Sequence, residues 1–598
     1  MTRLITLIEE TAEREPSRPA LLAPEHAPLS YAGLLDSVRA AGRALRERGV
    51  GRDDRVAIML PNGPGMATTF LGVASNATAA PLNPTYREAE LDFYLSDLDA
   101  RALITSADLD TPARRVAEDK GIPVLDLISY GADDPFRLDG EGLAPSTDGL
   151  PEAADTALVL HTSGTTSRPK QVPLTQRNVT ASARHIRDWL RLGPEDRCLN
   201  VMPLFHIHGL MAALTASVAG GASVVCTPGF VAPRFFDWMG AFDPTWYTAV
   251  PTMHQAILER APAHAEVIRE TALRFVRSSS ASLPPRVLGA LEATFGAPVV
   301  EAYGMTEAAH QMTSNPLPPA VRKPGSVGPP AGPEVAVMDA DGTLLPPGAT
   351  GEVVIRGPNV TAGYVANPEA NADAFANGWF RTGDEGHLDT DGYLVLSGRI
   401  KEIINRAGEK IAPREIDEVL LDHPAVAQAV AFAVPHDRLG EEVGAVVVRA
   451  AGADVTERQL QEFAGARLAP FKVPRVVVFA DSIPKGPTGK LQRIGLADRL
   501  GVSFDDALAP EPAPFTPPRN AVEEVVAELW EGVLGTGAVG VHDRFIDAGG
   551  DSILAARLIA RVRQALDIEL SIVDFFEAAT IAEQARLVEA VLLEDDPS

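Results

Sequence analysis

Apolar runs alternate with amphipathic helical segments from the N-terminus to about residue 324. Leu34, Val38, Ala41 and Leu45 repeat at helical spacing, which predicts one apolar helix face. Short runs that predict strands or strand ends lie at residues 55–60, 79–82, 102–105, 157–160, 201–209, 222–225, 245–251, 275–280 and 298–301. Strands separated by helical segments predict βαβ units and a parallel sheet, in which ligand-binding loops follow the carboxyl ends of the strands.

The pattern changes after Pro324. Turn pairs at 341–342, 347–348, 377–378 and 391–392 separate short β runs such as 351–355. This arrangement predicts a β-rich subdomain of antiparallel hairpins. After Gly398-Arg399 a compact α+β module runs to about Leu500, so we predict a large domain over 1–397 and a small one over 398–500.

A proline-rich linker precedes the last part of the chain. Five prolines lie between residues 508 and 520, and such density predicts a semi-rigid spacer within a linker over 501–520. Beyond it, apolar residues repeat with the period of an amphipathic helix: Val522, Val525, Val526, Leu529, Trp530, Val533 and Leu534. A helical unit over 521–598 is marginal as a stand-alone domain, so we expect it to present a group to other proteins or domains.

Composition narrows the function classes. The length of 598 residues allows about three or four domains, and 45% hydrophobic with 22% charged residues is an ordinary globular composition. A net charge of −27 argues against non-specific nucleic-acid binding, which needs a basic surface. Two cysteines are too few for a disulfide framework. We found no signal-peptide core and no apolar run of the ~20 residues that a membrane helix needs, so we expect a cytoplasmic protein.

The segment His161–Lys170 is a candidate phosphate-binding loop. It follows the apolar run 157–160 and contains hydroxyls at Thr162, Ser163, Thr165 and Thr166, a glycine and a terminal lysine. Backbone N–H groups and hydroxyls can donate to phosphate oxygens, and Lys170 adds a positive charge. The spacing is not that of a Walker A loop. Taken alone, the segment fits an ordinary polar strand-to-helix turn equally well.

Five motifs together resemble the adenylate-forming superfamily, which contains acyl-CoA synthetases, adenylation domains of non-ribosomal peptide synthetases, and luciferases. They occur in the order that the superfamily uses: His161–Lys170, Tyr303–Glu307, Phe380–Asp384, Gly398–Lys401 and Pro487–Lys490. Four segments resemble the oxalate–CoA ligases in particular: Thr166–Lys170, Pro203–Leu210, Thr306–Pro316 and Gly398–Arg406. The segment Phe545–Ser552 resembles the pantetheine attachment site of a peptidyl-type carrier domain.

The resemblance implies an α/β fold with three parts. These are a large N-terminal domain of parallel α/β sheets with a β-rich subdomain, a small mobile α+β domain, and an all-α four-helix carrier domain. The chain departs from the oxalate–CoA ligases in three ways. It has Gly304 where they typically have Ala, Ala407 where they have Gly, and a fused carrier domain that they lack.

The resemblance also implies a two-step reaction, in which a carboxylate is adenylated by ATP and a thiol then displaces AMP. Residues implied to hold the β- and γ-phosphates are Thr162, Ser163, Gly164, Thr165, Thr166 and Lys170. Glu307 would bind Mg²⁺ beside Thr306, Tyr303 would stack on adenine, and Asp384 and Arg399 would contact the ribose side. Further implied nucleotide contacts are Ser280, Ala281, Ser282, Glu301, Ala302 and Gly304.

Other roles are implied in the same way. Lys490 would bridge the carboxylate and the α-phosphate, Lys401 matches the hinge of the small domain, and Gly408 would line the thiol tunnel. Residues implied for the acid pocket are His206, Ser280 and His310, whereas we interpret His208 as structural. A His and a hydroxyl can both hydrogen-bond a carboxylate, which fits a small diacid. Ser552 would carry phosphopantetheine.

Each residue also has an ordinary structural explanation. Glu307 could be a solvated carboxylate at a helix start, Tyr303 a core residue, Asp384 a turn residue after Gly383, and Ser552 a helix N-cap. These alternatives stay open at the level of sequence.

The leading hypothesis is an enzyme that adenylates a small acid, oxalate-like or another small polar acid, and loads it on its own carrier domain. Alternatives are a free acyl-CoA synthetase, a loading module of non-ribosomal peptide type for another small acid or amino acid, and an inactive scaffold. The expected cofactors are ATP, Mg²⁺, 4′-phosphopantetheine on Ser552 and possibly CoA. A phosphopantetheinyl transferase and a downstream acyl-accepting enzyme are the expected partners, with no nucleic acid and no membrane.

Overall fold

The computed structural model describes most of the chain as two compact units. Described residues are 3–594 except 132–133, 148, 163–168, 437–438, 485–492, 503–514, 536, 544, 546–547, 549–551, 567, 569–577 and 579. The first unit comprises the described residues of Met1–Asn405, Glu409–Ala433 and Ala445–Ile494. The second comprises those of Arg406–Gly408, Val434–Gly444 and Gly495–Ser598.

An eight-stranded sheet forms one half of the α/β part of the first unit. Its strands follow the spatial order His310–Ser314, Val299–Met305, Phe275–Ser279, Trp246–Ala249, Arg197–Asn200, Ser223–Cys226, Pro19–Leu22 and Leu29–Ser30. The six inner strands are parallel, and the two edge strands are antiparallel to their neighbours. All residues of the strands at 246–249, 275–279 and 223–226 are buried, as expected for a parallel sheet covered on both faces.

A seven-stranded sheet forms the other half. Its order is Arg137–Asp139, Val124–Ser129, Ala102–Thr105, Arg55–Ile58, Thr78–Pro81, Thr156–His161 and Gln171–Thr175. The five inner strands are again parallel, and both edges are antiparallel. The predicted strands and the parallel sheet are therefore confirmed, while the antiparallel edges were not predicted.

The segment His161–Lys170 connects two strands of this sheet. Strand Thr156–His161 pairs antiparallel with strand Gln171–Thr175, and Thr162 N–H donates to Lys170 O at 2.9 Å. The explanation of this segment as a strand-to-helix turn is therefore wrong, because its ends are held in a β-hairpin.

A third sheet is wholly antiparallel and lies in the region predicted to be β-rich. Its order is Glu334–Met338, Gly351–Arg356, Trp379–Leu388 and Phe375–Ala376, with Leu394–Arg399 also paired to Trp379–Leu388. The turn glycines at 342, 348, 378 and 392 all have positive φ, the conformation that favours glycine in tight turns. The predicted hairpins are confirmed.

A fourth, smaller sheet follows. It has the order Glu409–Ile411, Ile404–Arg406, Gly440–Arg449 and Val426–His436, with Val476–Phe479 paired to Gly440–Arg449. The helices Pro413–Leu421 and Glu457–Gly465 accompany it, so this region is α+β as predicted.

The remaining helices of the first unit surround the two parallel sheets and the β-rich region. Their bounds are Leu4–Arg14, Tyr31–Glu47, Pro64–Ala74, Glu88–Asp97, Ala113–Asp119, Gln176–Leu190, Ala216–Ala219, Phe235–Phe242, Pro251–Arg260, Ala265–Glu270, Pro285–Phe295 and Pro368–Ala374, with a π-helix at His208–Thr215. The predicted apolar face of helix Tyr31–Glu47 is fully buried at Leu34, Val38 and Ala41. In the described part of the chain, no helix is both long and apolar enough to cross a lipid bilayer.

The second unit contains the helical region after the linker. Described helices are Leu496–Leu500, Ala521–Leu534, Ser552–Leu566 and Ile581–Glu594. Val526, Trp530 and Leu558 are fully buried in their shared core, and Trp530 Nε1 donates to Gln584 Oε1 at 2.7 Å. Three long helices of the predicted four-helix domain are thus present, while residues 569–577 lie outside the described residues.

Candidate active site

A cavity of about 700 Å³ in the first unit lies at the carboxyl ends of parallel strands. Its wall includes residues that end or follow the strands Thr78–Pro81, Thr156–His161 and Val299–Met305, so both parallel sheets contribute to it. Eight predicted site residues share this wall: Thr162, Lys170, His206, Gly304, Thr306, Glu307, Arg399 and Lys401. The topology brings together predicted site residues up to 239 positions apart, the separation from Thr162 to Lys401.

Glu307 is one of four carboxylates that line this wall, together with Glu90, Glu352 and Asp373. It lies in a short 3₁₀ turn at Thr306–Ala308 and is only 6% exposed, so the explanation of a solvated helix-start carboxylate is wrong. The Tyr364 hydroxyl donates to Glu307 Oε1 at 2.9 Å. Burial raises the pKa of Glu307, and the hydrogen bond from Tyr364 opposes that rise.

The same tyrosine contacts Lys170. The Lys170 ammonium lies 4.7 Å from the centre of the Tyr364 ring, a distance typical of a cation–π contact. Lys170 N–H also donates to Thr162 Oγ1 at 3.2 Å. Tyr364 therefore contacts both Lys170, at the end of the candidate phosphate loop, and Glu307.

Tyr303, Asp384 and Arg399 form a second polar cluster. The Tyr303 hydroxyl donates to Asp384 Oδ2, and Arg399 Nε lies 2.8 Å from Asp384 Oδ1. Asp384 lies within strand Trp379–Leu388, opposite Arg399 in the next strand, and is only 5% exposed. It is therefore a buried strand residue, and its explanation as a turn residue is wrong. Asp384 raises the pKa of Arg399, which keeps the guanidinium charged.

A buried histidine pair lies behind the cavity wall. The rings of His208 and His310 stack with centres 5.1 Å apart and planes 20° apart. His208 Nδ1 lies 3.0 Å from Ser280 Oγ, and His208 Nε2 lies 2.6 Å from Thr248 Oγ1. His206 lies in the wall itself, and its Nδ1 accepts from the His208 N–H at 3.3 Å. The predicted pocket residues are therefore connected through His208.

Gly304 and His310 approach each other unusually closely. A Cβ built on Gly304 would lie 1.8 Å from His310 O and 3.2 Å from His310 Nδ1. The two strands that carry them pair antiparallel with a register shift between Tyr303 and Gly304. His310 has a φ of 98°, a conformation that non-glycine residues rarely adopt. The Gly304 position thus has no room for a side chain unless the His310 backbone moves.

Glu301 lies in the same strand as Tyr303 and is 1% exposed. Its Oε1 accepts from Leu283 N–H at 3.0 Å, and within the described residues its Oε2 has no hydrogen-bond partner. Burial raises the pKa of Glu301 to about 7. The neighbouring predicted contacts differ in exposure, since Ala302 is buried, Ser282 is half-buried and Ala281 is exposed.

Several predicted site residues lie outside the described residues, namely Ser163, Gly164, Thr165, Thr166 and Lys490. Ser552 is the first residue of helix Ser552–Leu566, and its side chain is outside the described set. Gly408 belongs to the second unit, where it is exposed and has a φ of 93°.

Two residues that contact predicted site residues were missed at the level of sequence. Tyr364 lies outside every recognised motif, and nothing in the adjacent sequence indicates contacts with Lys170 and Glu307. Arg277 lies in strand Phe275–Ser279 and is 0% exposed. Here a signal existed, because an arginine within a run predicted to be a buried strand needs internal partners.

Comparisons with known proteins agree with this geometry. Residues 8–365 match the family AMP-binding enzyme, residues 415–490 match the AMP-binding enzyme C-terminal domain, and residues 524–588 match the phosphopantetheine attachment site. The chain is 47% identical over 496 residues to an oxalate–CoA ligase of Arabidopsis thaliana, which covers 81% of this chain and 96% of the relative. It is 38% identical over 498 residues to a sulfoacetate–CoA ligase of Cupriavidus necator, with coverages of 82% and 97%.

A solved structure extends the likeness to the fold. ATP-bound MatB from Rhodopseudomonas palustris is similar at a TM-score of 0.74 and 30% identity, over 83% of this chain and 98% of that one. Fold, cavity and matches together define an enzyme of the adenylate-forming class. The chain belongs to the AMP-binding enzyme family and carries a phosphopantetheine-binding domain at its C-terminal end.

This membership confirms the predicted class of reaction. The protein is an AMP-forming acid–thiol ligase that uses ATP, and a carboxylic acid and a thiol are its other substrates. Mg²⁺ and a covalent 4′-phosphopantetheine are the cofactors that the family and the attachment domain imply.

Proposed function

We propose that this enzyme activates oxalate, or a similarly small polar acid, as its acyl-adenylate. It then transfers the acyl group to a pantetheine thiol, chiefly that of its own carrier domain. The observation that carries the proposal is the cavity wall, which combines Lys170, Glu307 and Arg399 with His206. The two cations can bind the phosphates of a nucleoside triphosphate, and the carboxylate can bind its Mg²⁺. His206 accepts a hydrogen bond from His208, a member of the buried histidine pair.

In the first step, a carboxylate oxygen attacks the α-phosphorus of ATP. The bond from this phosphorus to the bridging oxygen breaks, and pyrophosphate leaves with the electron pair. Such transfers depend mainly on alignment and charge neutralisation. We assign phosphate binding to Thr162, Lys170 and the loop between them, ribose binding to Asp384 with Arg399, and adenine stacking to Tyr303. Lys490 would bridge the carboxylate and the α-phosphate.

In the second step, the thiol sulfur attacks the acyl carbon. The carbon–oxygen bond to AMP breaks, AMP leaves with the electron pair, and the thiol proton goes to solvent. We assign the thiol approach to Gly408 and the hinge of the small domain to Lys401. This assignment follows the proposed boundaries of 1–397 for the large domain, 398–500 for the small domain, 501–520 for the linker and 521–598 for the carrier.

The residues around Glu307 suit the implied Mg²⁺. This ion prefers oxygen ligands and is usually held by one or two carboxylates together with substrate phosphates. Glu307 supplies one buried carboxylate in the cavity wall, and Thr306 adds a hydroxyl beside it. When bound, Mg²⁺ would neutralise phosphate charge. Tyr364 orients the carboxylate through its hydrogen bond to Oε1.

The acid pocket supports a small substrate with a second polar group. Buried His310 and half-buried Ser280 both contact His208, and their imidazole and hydroxyl can hydrogen-bond a carboxylate. Two relatives are named for oxalate and for sulfoacetate, which are both two-carbon acids with a second anionic group. We assign the distal end of the acid to Ser280 and His310, with His206 at the border.

The carrier domain determines where the product goes. We propose that a phosphopantetheinyl transferase modifies Ser552, at the start of helix Ser552–Leu566, and that a downstream enzyme accepts the acyl group. The cytoplasmic location expected from the sequence stays a prediction. A second candidate function, release of free acyl-CoA, is favoured by the relatives named as CoA ligases.

ATP–pyrophosphate exchange across a panel of acids tests the substrate class. We expect the highest kcat/KM with oxalate or another two-carbon acid, and little exchange with amino acids or long-chain fatty acids. Maximal exchange with a long-chain fatty acid would overturn the proposal. Comparing the thioester on Ser552 with free acyl-CoA by mass spectrometry separates the two candidate functions.

A further inference from the structure

Arg277 is a fully buried arginine with no carboxylate among its described partners. Its Nη2 lies 3.1 Å from His310 Nε2 and 3.4 Å from Gln311 Oε1. Its Nη1 lies 3.5 Å from both His208 Nε2 and Thr248 Oγ1. In the ranges that the structure describes, no carboxylate forms an ion pair with it. A buried charge normally has a partner of opposite sign, so this arrangement requires an explanation.

The guanidinium determines which nitrogen of each histidine can donate. Because arginine is only a donor, the His310 Nε2 that faces it must be an acceptor, and the His310 proton then lies on Nδ1. Thr248 accepts from Arg277 and can donate its own proton to His208 Nε2 at 2.6 Å. The proton of His208 then also lies on Nδ1, where it faces Ser280 Oγ.

These Nδ1 atoms face Gly304 in the cavity wall and Ser280, which we assign to the acid pocket. The His310 Nδ1 is the ring atom near Gly304, which lines the cavity. His208 Nδ1 donates to Ser280, so the Ser280 hydroxyl can direct its own hydrogen elsewhere. Two neutral donors and a positive charge behind them suit a group that carries negative charge.

We propose that Arg277 is a positioning residue for the acid pocket. It holds His208 and His310 with Nδ1–H as donor, and its charge favours an acid whose distal end is anionic. The second anionic group of the substrate would thus supply the counter-charge that the protein does not provide in the described residues. This inference rests on the proposed function and deepens it, because it selects dianionic two-carbon acids over monoanionic ones.

The charge of Arg277 persists in the buried site. Burial lowers the pKa of Arg277 to about 10, which still leaves the guanidinium protonated at neutral pH. Lysine at this position would keep the charge but lose the planar guanidinium, whose two terminal nitrogens contact His208 and His310. Methionine would keep similar volume without charge or donors.

The first test compares Arg277→Met and Arg277→Lys in ATP–pyrophosphate exchange with oxalate and glyoxylate, which differ by one carboxylate. Because hydrogen bonds to charged groups are stronger than those between neutral groups, we expect Arg277→Met to raise the KM for oxalate on the order of 10- to 100-fold. The KM for glyoxylate and for ATP should change little, and Arg277→Lys should restore part of the preference. An Arg277→Met enzyme with the wild-type preference, or an equal loss for both acids and ATP, would overturn the inference.

Arg274→Met is the matched control. Arg274 lies three residues earlier and pairs with Asp196 at 2.9 and 3.0 Å, and its side chain is 35% exposed. Its replacement removes an arginine ion pair from the same part of the fold without touching the histidine pair. We expect the wild-type preference between oxalate and glyoxylate to persist in this variant.

A second pair of variants tests the tautomer even if Arg277→Met does not fold. The amide of His310→Asn places its N–H group near the position of Nδ1, and that of His310→Gln places it near Nε2. Asparagine also tolerates the positive φ of this position better than most residues. We expect His310→Asn to keep a measurable preference for oxalate and His310→Gln to lose it. The reverse order would contradict the assignment.

The outcome for the wild type separates the two proposals. If wild-type enzyme shows no exchange with any small diacid, the proposed substrate class fails. If wild-type enzyme prefers oxalate but the Arg277 and His310 variants behave in the same way as wild type, only the inference about Arg277 fails.

Discussion

The hydroxyl of Tyr364 donates a hydrogen bond to Oε1 of Glu307 at 2.9 Å, 57 residues away in the chain. The ring of the same tyrosine lies 4.7 Å from the Lys170 ammonium. One side chain therefore orients the carboxylate assigned to Mg²⁺ and contacts the lysine assigned to the phosphates. The two contributions can be separated, because the hydroxyl can be removed while the ring is kept.

Replacing Tyr364 by Phe removes the hydroxyl and keeps the ring, whereas Leu removes both. We expect Tyr364→Phe to raise the KM for ATP on the order of 10-fold or more and Tyr364→Leu to raise it a further few-fold, since a hydrogen bond to a charged group contributes about 1.5–3 kcal/mol and a cation–π contact about 0.5–1 kcal/mol. Steady-state exchange with varied ATP measures both. Tyr393→Phe, which removes a hydroxyl bonded to Val321 O, serves as control. Equal effects of Phe and Leu would exclude a role for the ring.

Gly304→Ala is expected to disrupt the acid pocket of this chain, even though the oxalate–CoA ligases that it resembles typically have Ala there, because its own His310 backbone leaves no room for a Cβ. The added Cβ would lie 1.8 Å from His310 O, so the strand His310–Ser314 must shift and His310 with it. We expect a loss of about 1–3 kcal/mol in the free energy of unfolding and a larger fall in kcat/KM for the acid than for ATP.

Gly289→Ala is the control for this substitution. Gly289 lies in helix Pro285–Phe295, and among the described residues beyond its chain neighbours and its own helix backbone no atom lies within 4 Å of an added Cβ. Alanine there should be neutral or slightly stabilising. Wild-type kinetics for Gly304→Ala would contradict the close approach to His310.

Glu301→Gln should stabilise the protein in a pH-dependent way. Burial raises the pKa of Glu301 from 4.5 to about 7 in the folded protein, so the folded state retains a proton that the unfolded chain releases between these values. The wild type therefore loses stability as pH rises from 4.5 to about 7, and glutamine removes that loss. We expect the advantage of Glu301→Gln to grow by about 1–3 kcal/mol between about pH 5 and pH 8.

Chemical unfolding at several pH values measures this difference. The buried amide N–H group of the glutamine lowers the free energy of unfolding, but by an amount that does not vary with pH. Glu334→Gln is the control, since Glu334 is exposed, and its hydrogen bond from Arg356 lowers the pKa of its carboxyl. A pH-independent advantage of Glu301→Gln would show that Glu301 does not titrate in this range.

Lys490→Ala separates the two half-reactions. The lysine assigned to the adenylation step should be needed for exchange and not for thioester formation from supplied acyl-adenylate. Lys472→Ala, which removes a surface ion pair with Glu415, serves as control. If both half-reactions fall equally, the division of roles does not hold.

The fold could largely be predicted because its signals are local. Leu34, Val38 and Ala41 form a buried helix face as their spacing indicates, and the glycines at 342 and 392 lie in the predicted turns with positive φ. The antiparallel edge strands could not be predicted in the same way. Whether Gln171–Thr175 pairs with Thr156–His161 depends on the loop between them and on neighbouring layers, and not on its own apolar pattern.

Site residues could be predicted where they belong to sequence motifs. They could not be predicted where only the folded structure brings them into contact. Glu307, Asp384 and Lys170 were identified from motifs, and their burial and contacts exclude two ordinary explanations. Tyr364 and Arg277 act through contacts with residues distant in sequence, such as Lys170 and His310. Such contacts result from the packing of whole sheets, which periodicity and composition do not encode.

Intact-protein mass spectrometry of the holo-chain tests the central claim most directly. The protein, modified with phosphopantetheine, would be incubated with ATP, Mg²⁺ and oxalate in the absence of CoA. We predict a mass gain of one oxalyl group on the pantetheine thiol, which disappears in Ser552→Ala. A holo-chain whose mass does not change, while added CoA is converted to acyl-CoA, would contradict transfer to the protein's own carrier domain.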